Sequence, residues 1–487
     1  MKKREFLKKS AILASSTALM PSFLLACKEE QQLAKVTPLT RLRTAHVGVG
    51  NMGAADLNDI SSHAKVDVTA LCDVDATNLA EAKKLHPNAK TFSDYRVMLK
   101  EMGDEIDAVV VSTPDHTHAP VSMMAMEMNK SVYCQKPLTH YVSEARAMKK
   151  LAEEKGLVTQ MGIQVHSFYD YKLATLLIQS GIIGKVHTVR AWSPKNWGYD
   201  GPVPAGEDAV PETLDWNLWL GTSAERPYKE GIYHPGNWRK LVDYGCGTLG
   251  DMGVHIFDTP YNALALDVPR TIKTECREPN GFGFPENNVV TYEFPGTPYT
   301  ADSLKWIWSD GPGAPEMHED LKLPGASEMA TTAKGTDIKE ASVEEKMSLE
   351  TKVSGPGTLP EQGAMFIGDK GRLLLPHFMQ LPTKIVDGKY VDISKEIEAV
   401  SKANNMGNPI RDYASEGPKH YHQFVDACLG TDECSAPFSY ASKLTETILL
   451  GVIANRFPNQ TLNWDSKNAK FAEEEANQFL EGDYRDF

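Results

Sequence analysis

The chain has 487 residues, enough for about two domains with well-buried cores. Its formal net charge of -14 excludes nucleic acid and anionic membrane surfaces as electrostatic partners. Seven scattered cysteines show neither a CxxC pair nor metal-ligand spacing, so no disulfide scaffold and no metal site is expected.

The first segment reads as an address. Lys2, Lys3, Arg4, Lys8 and Lys9 form a basic region, Ala11 to Leu25 an apolar run too short for a membrane span, and Leu24-Leu25-Ala26-Cys27 closes it. Small residues before a cysteine resemble a bacterial lipobox, which implies lipidation at Cys27 after removal of residues 1–26, and a periplasmic or cell-surface protein whose membrane contact is that anchor. Lys3-Arg4-Glu5-Phe6-Leu7-Lys8 resembles a twin-arginine signal with Lys3 at the first arginine position, which leaves the export route open between Tat and Sec. Residues 27–42 are a polar tether.

From residue 43 to 163, apolar runs at 45–49, 66–72, 107–112, 130–134 and 157–161 alternate with amphipathic helical stretches. That alternation predicts a doubly wound parallel α/β sheet of Rossmann type. The first run breaks into Gly48-Val49-Gly50-Asn51-Met52-Gly53, a G-x-G-x-x-G turn. Gly48 would form the tight bend, Gly50 would admit a pyrophosphate, and Gly53 would let the helix pack close. Asn51 and Met52 fall at the helix start, where free N–H groups and the dipole favour an anion. The second run ends at Asp73, placed to hydrogen-bond an adenine ribose, which points to NAD in preference to NADP. A turn or N-cap role for Asp73 is the plainer alternative. Thr113 and Pro114 follow the third run and would border the nucleotide. His118 opens the next helix as either a packing or a cofactor-binding residue.

The fourth run ends Tyr133-Cys134-Gln135-Lys136-Pro137. Together with the glycine turn, Asp73 and the Thr113-Pro114 loop, this stretch resembles the Gfo/Idh/MocA oxidoreductases, whose hallmark there is Glu-Lys-Pro. Gln135 stands in place of the glutamate, so the charge that would pair with Lys136 is open. The resemblance implies that Gln135 and Lys136 touch the cofactor and that Lys136 is catalytic, either as proton acceptor or as polariser of a carbonyl oxygen.

Residues 164–487 form the expected second domain. Gln164 to Gly181 predicts a helix, and residues 184–192 alternate as a strand. The resemblance implies a C-terminal α+β domain with a large, mainly antiparallel open sheet, and a homo-oligomer, dimer or tetramer, built on its free face. Insertions are expected near 195–245 and 309–363, the second irregular and partly mobile. The first is rich in tryptophan. Trp192, Trp197 and Trp238 suit the faces of a pyranose, whereas Trp216 and Trp219, three apart, read as core. In Gly245-Cys246-Gly247-Thr248-Leu249-Gly250-Asp251-Met252-Gly253-Val254-His255, a helix over 248–261 would set Asp251 and His255 on one face. This resembles the family's second motif, which implies His255 as general acid/base and Asp251 as its orienting partner or a binder of a neighbouring hydroxyl.

The resemblance therefore implies an NAD-dependent oxidoreductase acting on a small carbohydrate: a sugar, polyol or glycoside hydroxyl. Export removes the protein from any free nucleotide pool, which argues for a tightly bound, recycled cofactor. Two alternatives stay open. One is a redox-assisted, NAD-dependent glycosidase or lyase, and the other a non-catalytic sugar-binding lipoprotein, which only Gln135 favours.

Overall fold

The computed structural model describes residues 39–325, 358–409 and 412–487. The expected export signal, Cys27 and most of the tether lie outside the described residues, as do positions 326–357 of the second insertion. Among the described residues no helix is long and apolar enough to cross a membrane.

Six parallel strands form the first sheet: β1 (Leu42–Val47), β2 (Val66–Cys72), β3 (Lys90–Phe92), β4 (Ala108–Val111), β5 (Ser131–Cys134) and β6 (Thr159–Met161), in the order β3-β2-β1-β4-β5-β6. Helices α1 (Met52–Ser61), α2 (Ala76–Leu85), α3 (Tyr95–Met102), α4 (Asp115–Glu127) and α5 (Val142–Lys155) make the crossovers. The Ala-Val-Val-Val of β4 is buried throughout, as a central parallel strand covered on both faces must be. β3 is an addition to the expected strands. Its three residues, Lys-Thr-Phe, are mostly exposed and form no apolar run.

The expected single helix after residue 164 is divided. A 3-10 turn (Gln164–Ser167) leads to α6 (Tyr169–Gln179), and Phe168 between them is extended and fully buried. Burying that ring takes precedence over continuing the helix. The second sheet then collects β7 (Val186–Ser193), β8 (Thr271–Glu275), β9 (Asn288–Pro295), β10 (Thr300–Asp310), β11 (Gly363–Gly368), β12 (Gly371–Pro376), β13 (Thr383–Val386), β14 (Lys389–Val391), β15 (Thr461–Asp465) and β16 (Lys470–Phe471). Their order is β14-β13-β12-β11-β7-β10-β9-β8-β15-β16. β7 and β10 run parallel, and the other pairings are antiparallel.

Helices of this half are α7 (Trp216–Leu220), α8 (Val254–Ala263), α9 (Ser394–Ala403), α10 (Tyr413–Cys428) and α11 (Phe438–Ala454). Phe257 anchors α8 on the sheet, stacked on Trp306 with ring centroids 4.1 Å apart, a geometry worth about 0.5–1.5 kcal/mol beyond area burial. α10 and α11 return to the first sheet. Tyr421, Phe424, Val425 and Leu429 of α10 and the turn after it pack against Leu42, Val66, Val110 and Tyr133, and Glu446 of α11 pairs with Arg146 of α5 at 2.6 Å.

Candidate active site

A cleft of about 460 Å³ runs between the carboxyl edge of the parallel sheet and the second domain. This is where open α/β sheets bind ligands, and the size suits a nucleotide with its substrate. At one end β1 breaks at Gly48, whose φ of 81° places it in the left-handed region. A Cβ on Gly53 would lie 2.2 Å from the Gly48 carbonyl oxygen, so α1 comes this close to the turn only with glycine there. Gly48, Gly50, Asn51 and Met52 wall the cleft, while Gly53 packs beneath it. Asn51 makes no side-chain capping bond, and the N–H groups of Gly53 and Ala54 go to the Gly50 and Asn51 carbonyls at 2.8 and 3.1 Å, so an anion here would meet the N–H groups at the very start of the turn.

Asp73 follows β2 in the same wall. Its carboxylate accepts the N–H groups of Val49 and Asp75, both at 2.9 Å, so it braces the glycine turn as well as facing the cleft. Burial raises its pKa against the pull of those N–H groups. Asp94 walls this end too, and Arg96 is held by Asp94 at 2.7 Å. Two carboxylates beside an arginine already engaged suit ribose hydroxyls and repel a 2′-phosphate, so the residues present fit NAD.

Thr113 and Pro114 lie at the middle of the cleft. His118 is 1% exposed, with Nδ1 at 2.8 Å from the Pro137 carbonyl and Nε2 at 2.8 Å from that of Thr113. Burial pushes its pKa down to about 4, outweighing both carbonyls. A neutral ring donates to only one of these two carbonyls, so it hydrogen-bonds one of the β4 and β5 loops and packs against the other, and it also contributes a face to the cleft. Gln135 aims its amide nitrogen at Asp56. Its Nε2 donates to both oxygens of Asp56, at 2.9 and 3.0 Å, and its Oε1 accepts the Lys136 backbone N–H at 3.2 Å. Asp56, fully buried on α1, also accepts Ser112 Oγ at 2.6 Å and Tyr421 Oη at 2.7 Å.

The partner of Lys136 comes from the second domain: its Nζ lies 2.6 Å from Asp251 Oδ1, both side chains nearly buried. Burial lowers the lysine pKa and Asp251 opposes it. Burial would likewise raise Asp251, but Lys136, Arg239 and Lys195 hold it well below the carboxylate range. Trp197 Nε1 donates to the other oxygen of Asp251 at 2.6 Å, and Arg239 approaches Oδ1 at 3.5 Å. Asp251 sits in a π-helical turn, Leu249–Gly253, ahead of α8, where the sequence pattern predicts regular α-helix. The wider turn directs Asp251 to Lys136 and Trp197, and its hydrogen bonds do not include His255. The expected orienting contact between Asp251 and His255 is thus replaced by one between the domains.

His255 is part-buried and does not wall the cleft. Its ring faces His377 at 6.0 Å between centroids, and its Nδ1 has no hydrogen-bond partner among the described residues. Burial, then the charge of Lys136, keeps its pKa well below the ordinary imidazole value. The ring is therefore neutral and, with burial and the Lys136 charge acting on it, a weaker proton acceptor than a free imidazole.

The three tryptophans separate. Trp197 and Trp238 wall the cleft, Trp238 beneath the Arg239 guanidinium at 4.4 Å. Trp192 does not: it is 0% exposed in β7 and donates its indole N–H to the Pro360 carbonyl at 3.0 Å. Its expected substrate role is corrected to core packing, because β7 is a central strand and the ring is buried in a cluster with Leu321, Leu323, Leu359 and Met365. Trp216 and Trp219 stack at 4.8 Å as a core pair, and Trp219 also faces the cleft. Asp56, Arg239 and Asp115 escape sequence reading. Asp115, at the start of α4, is 1% exposed, lies 3.5 Å from Arg239 and is pushed up to about 6 by burial. Each stands alone inside an ordinary helical or loop pattern, and only the fold brings them together.

Residues 42–163 match a family described as an oxidoreductase family with an NAD-binding Rossmann fold, and residues 171–281 match that family's C-terminal α/β domain. The chain is 25% identical over 179 residues to a levoglucosan dehydrogenase of Pseudarthrobacter phenanthrenivorans, covering 37% of this chain and 38% of that protein. It is 29% identical over 157 residues to a glycosyl hydrolase family 109 protein of Shewanella woodyi, covering 30% and 33%. The matches thus span less than half the length of these curated relatives. Among solved structures, the WlbA dehydrogenase from Bordetella pertussis in complex with NADH and UDP-GlcNAcA superposes with a TM-score of 0.55 at 13% identity, over 87% of this chain and 99% of that one.

Proposed function

We propose, for a chain whose two domains match the models of the NAD-binding and C-terminal domains of the Gfo/Idh/MocA oxidoreductases, an NAD-dependent oxidation of a hydroxyl on a sugar, polyol or glycoside. The observation that carries this reading is the Lys136–Asp251 pair, 2.6 Å across the domain boundary, in the wall of the cleft that begins at Gly48. Bound NAD supplies the acceptor and later the donor of a hydride. The chain's own residues do the rest. Asp251 and Trp197 fix the lysine so that its remaining N–H bonds point at a carbinol oxygen, which they polarise. The hydroxyl proton passes by way of a water to neutral His255, which lies behind the cleft wall, as the carbon–oxygen double bond forms, and returns by the same route when the direction reverses. Trp197 and Trp238 offer apolar faces to the pyranose.

Replacing His255→Ala is expected to lower kcat about 10²- to 10⁴-fold, the usual share of a general acid/base, with NAD affinity within a few fold. Loss of NAD binding in that variant, measured by calorimetry, would place His255 in the cofactor seat instead. Failure of the unaltered protein to bind NAD at all would remove the oxidoreductase reading and leave a sugar-binding protein.

A second reading is redox-neutral cleavage of a glycoside with the nucleotide kept in place. Similarity to a glycosyl hydrolase family 109 protein supports it, as does the export pattern ending at Cys27. Turnover of a glycoside panel by dialysed protein without added NAD distinguishes the two readings: products that appear only with stoichiometric NAD speak for an ordinary dehydrogenase. The lipid anchor at Cys27, the periplasmic or surface location and the homo-oligomer belong to the same proposal. Membrane fractionation of a Cys27→Ala variant and sedimentation of the soluble form check them.

A further inference from the structure

Segments outside the parallel sheet close the cleft at the Asp73 end. The first insertion pairs with the turn that follows β2: Ala76 donates its N–H to the Thr213 carbonyl at 2.8 Å, Asp215 donates to the Val74 carbonyl at 2.9 Å, and Asp75 and Leu214 form an antiparallel bridge. His234, on the same insertion, places Nε2 3.0 Å from Asp75 Oδ2. The insertion is joined in turn to the last residues of the chain. Arg485 donates its guanidinium to Asn217 Oδ1 at 2.8 Å and to the Asn217 carbonyl at 2.9 Å, and its backbone N–H to the Thr222 carbonyl at 3.0 Å. Phe487 closes the circuit: the Arg96 guanidinium lies 3.9 Å over its ring and donates to its carbonyl oxygen, while Asp94 holds Arg96 from the other side. The chain of contacts thus runs from the β2–α2 turn through the insertion and residues 485–487 to the β3–α3 turn. Leu218, Trp219 and Phe487 all wall the cleft within it.

We propose that this circuit is an adenosine-binding clasp, in which Leu218, Trp219 and Phe487 bound the adenine while Asp73 takes the ribose. The inference rests on the reading that the Rossmann domain holds NAD, and deepens it. A flat aromatic base fits between apolar and aromatic walls, and a ligand enclosed by hydrogen-bonded segments leaves only when they open. Opening must break the Arg485–Asn217 fork or the Arg96–Phe487 contact, neither of which touches the phosphate cradle. The clasp therefore governs the rates of uptake and release more than the equilibrium. This is the property a retained cofactor needs.

Nucleotide exchange on the full chain tests this, with NADH fluorescence following uptake and displacement by excess NAD in the unaltered protein, in Arg485→Ala, and after deletion of residues 485–487. In Arg485→Ala, uptake and release are both expected to quicken by about tenfold or more with a smaller change in Kd, because a barrier crossed in both directions is lowered while the bound and free states are not altered, whereas deletion of residues 485–487 also removes the Phe487 wall and is expected to weaken Kd as well. Exchange rates equal to those of the unaltered protein would overturn the clasp, and so would faster release with unchanged uptake, which marks lost contacts alone. Tighter NADH binding in Phe487→Ala would also overturn it, by showing that the ring occupies the adenine position. If the unaltered protein takes up no NADH, it is the nucleotide reading itself that fails.

Discussion

Asp56 explains at the level of single side chains why glutamine stands before Lys136. Its carboxylate already occupies the space opposite the Gln135 amide, 2.9 and 3.0 Å away, and a second carboxylate there would meet it in a buried site. Burial raises Asp56 to about 6, despite hydrogen bonds from Ser112, Tyr421 and Gln135. Because this folded-state value exceeds the unfolded one of 3.8, the group favours folding most below pH 3.8, and the contribution fades as pH rises through about 6. Gln135→Glu adds a coupled acid, so one proton must be retained between the two. We expect that variant to lose little stability in acid and about 3 kcal/mol at pH 8, the scale of an uncompensated buried charge. Denaturant titrations across pH check this, and Gln135→Glu with Asp56→Asn should recover most of the loss. A Gln135→Glu deficit independent of pH would mean that packing, not charge, selects glutamine. Asp73 carries a simpler expectation: Asp73→Ala should weaken NAD by about 1–3 kcal/mol, the scale of hydrogen bonds to a charged group, with unchanged affinity moving the ribose contact elsewhere. Asp73 was legible because it ends an apolar run at a fixed distance from the glycines. Asp56 was not, because nothing within α1 announces that Gln135, Ser112 and Tyr421 converge on it.

Among the elements, the π-helical turn before α8 decides where Asp251 points. A Cβ on Gly250 would sit 2.2 Å from Cys246 Cβ, closer than any packed pair tolerates, so Gly250→Ala must displace the turn. Overpacking of this kind costs about 1–3 kcal/mol, but the sharper effect is expected on Asp251, which loses its alignment with Lys136. The expected outcome is a kcat reduced by an order of magnitude or more, as when catalytic groups are misplaced by about 1 Å, with NADH binding nearly intact. A variant that keeps full turnover would show that the turn tolerates displacement. The parallel strands other than β3, and α8, were legible from apolar period and glycine punctuation alone. The π turn was not, since five residues of wider winding leave no mark on a helical pattern. Nor was the break at Phe168, where burial of one ring interrupts an otherwise regular helix, or the placement of Trp192, whose strand only the assembled sheet shows to be central.

Across the whole molecule, the two halves interlock more than a boundary near residue 163 suggests. One face of the parallel sheet, with Leu42, Val66, Val110 and Tyr133, is covered by Tyr421, Phe424, Val425 and Leu429, residues that follow all but the last two strands of the second sheet in the chain. Parallel sheets need both faces covered, so a fragment of residues 43–163 would leave this face in water. The contacts there are also polar: Tyr421 Oη reaches Asp56 at 2.7 Å, Gln160 Nε2 donates to the His420 carbonyl at 2.9 Å, and Thr445 Oγ1 accepts the Leu138 N–H at 3.2 Å. Tyr421→Ala removes a fully buried ring together with one of the Asp56 donors, and should cost about 3–5 kcal/mol. The loss should appear as a lower midpoint of a single unfolding transition seen alike by near-ultraviolet and far-ultraviolet circular dichroism, because sheet and helices share the core. Two resolved transitions, with only the first shifted by Tyr421→Ala, would mean that the halves fold independently. The same interlock holds Lys136 and Asp251 at bonding distance, since α10 and α11 fix the Rossmann unit against the body that carries α8.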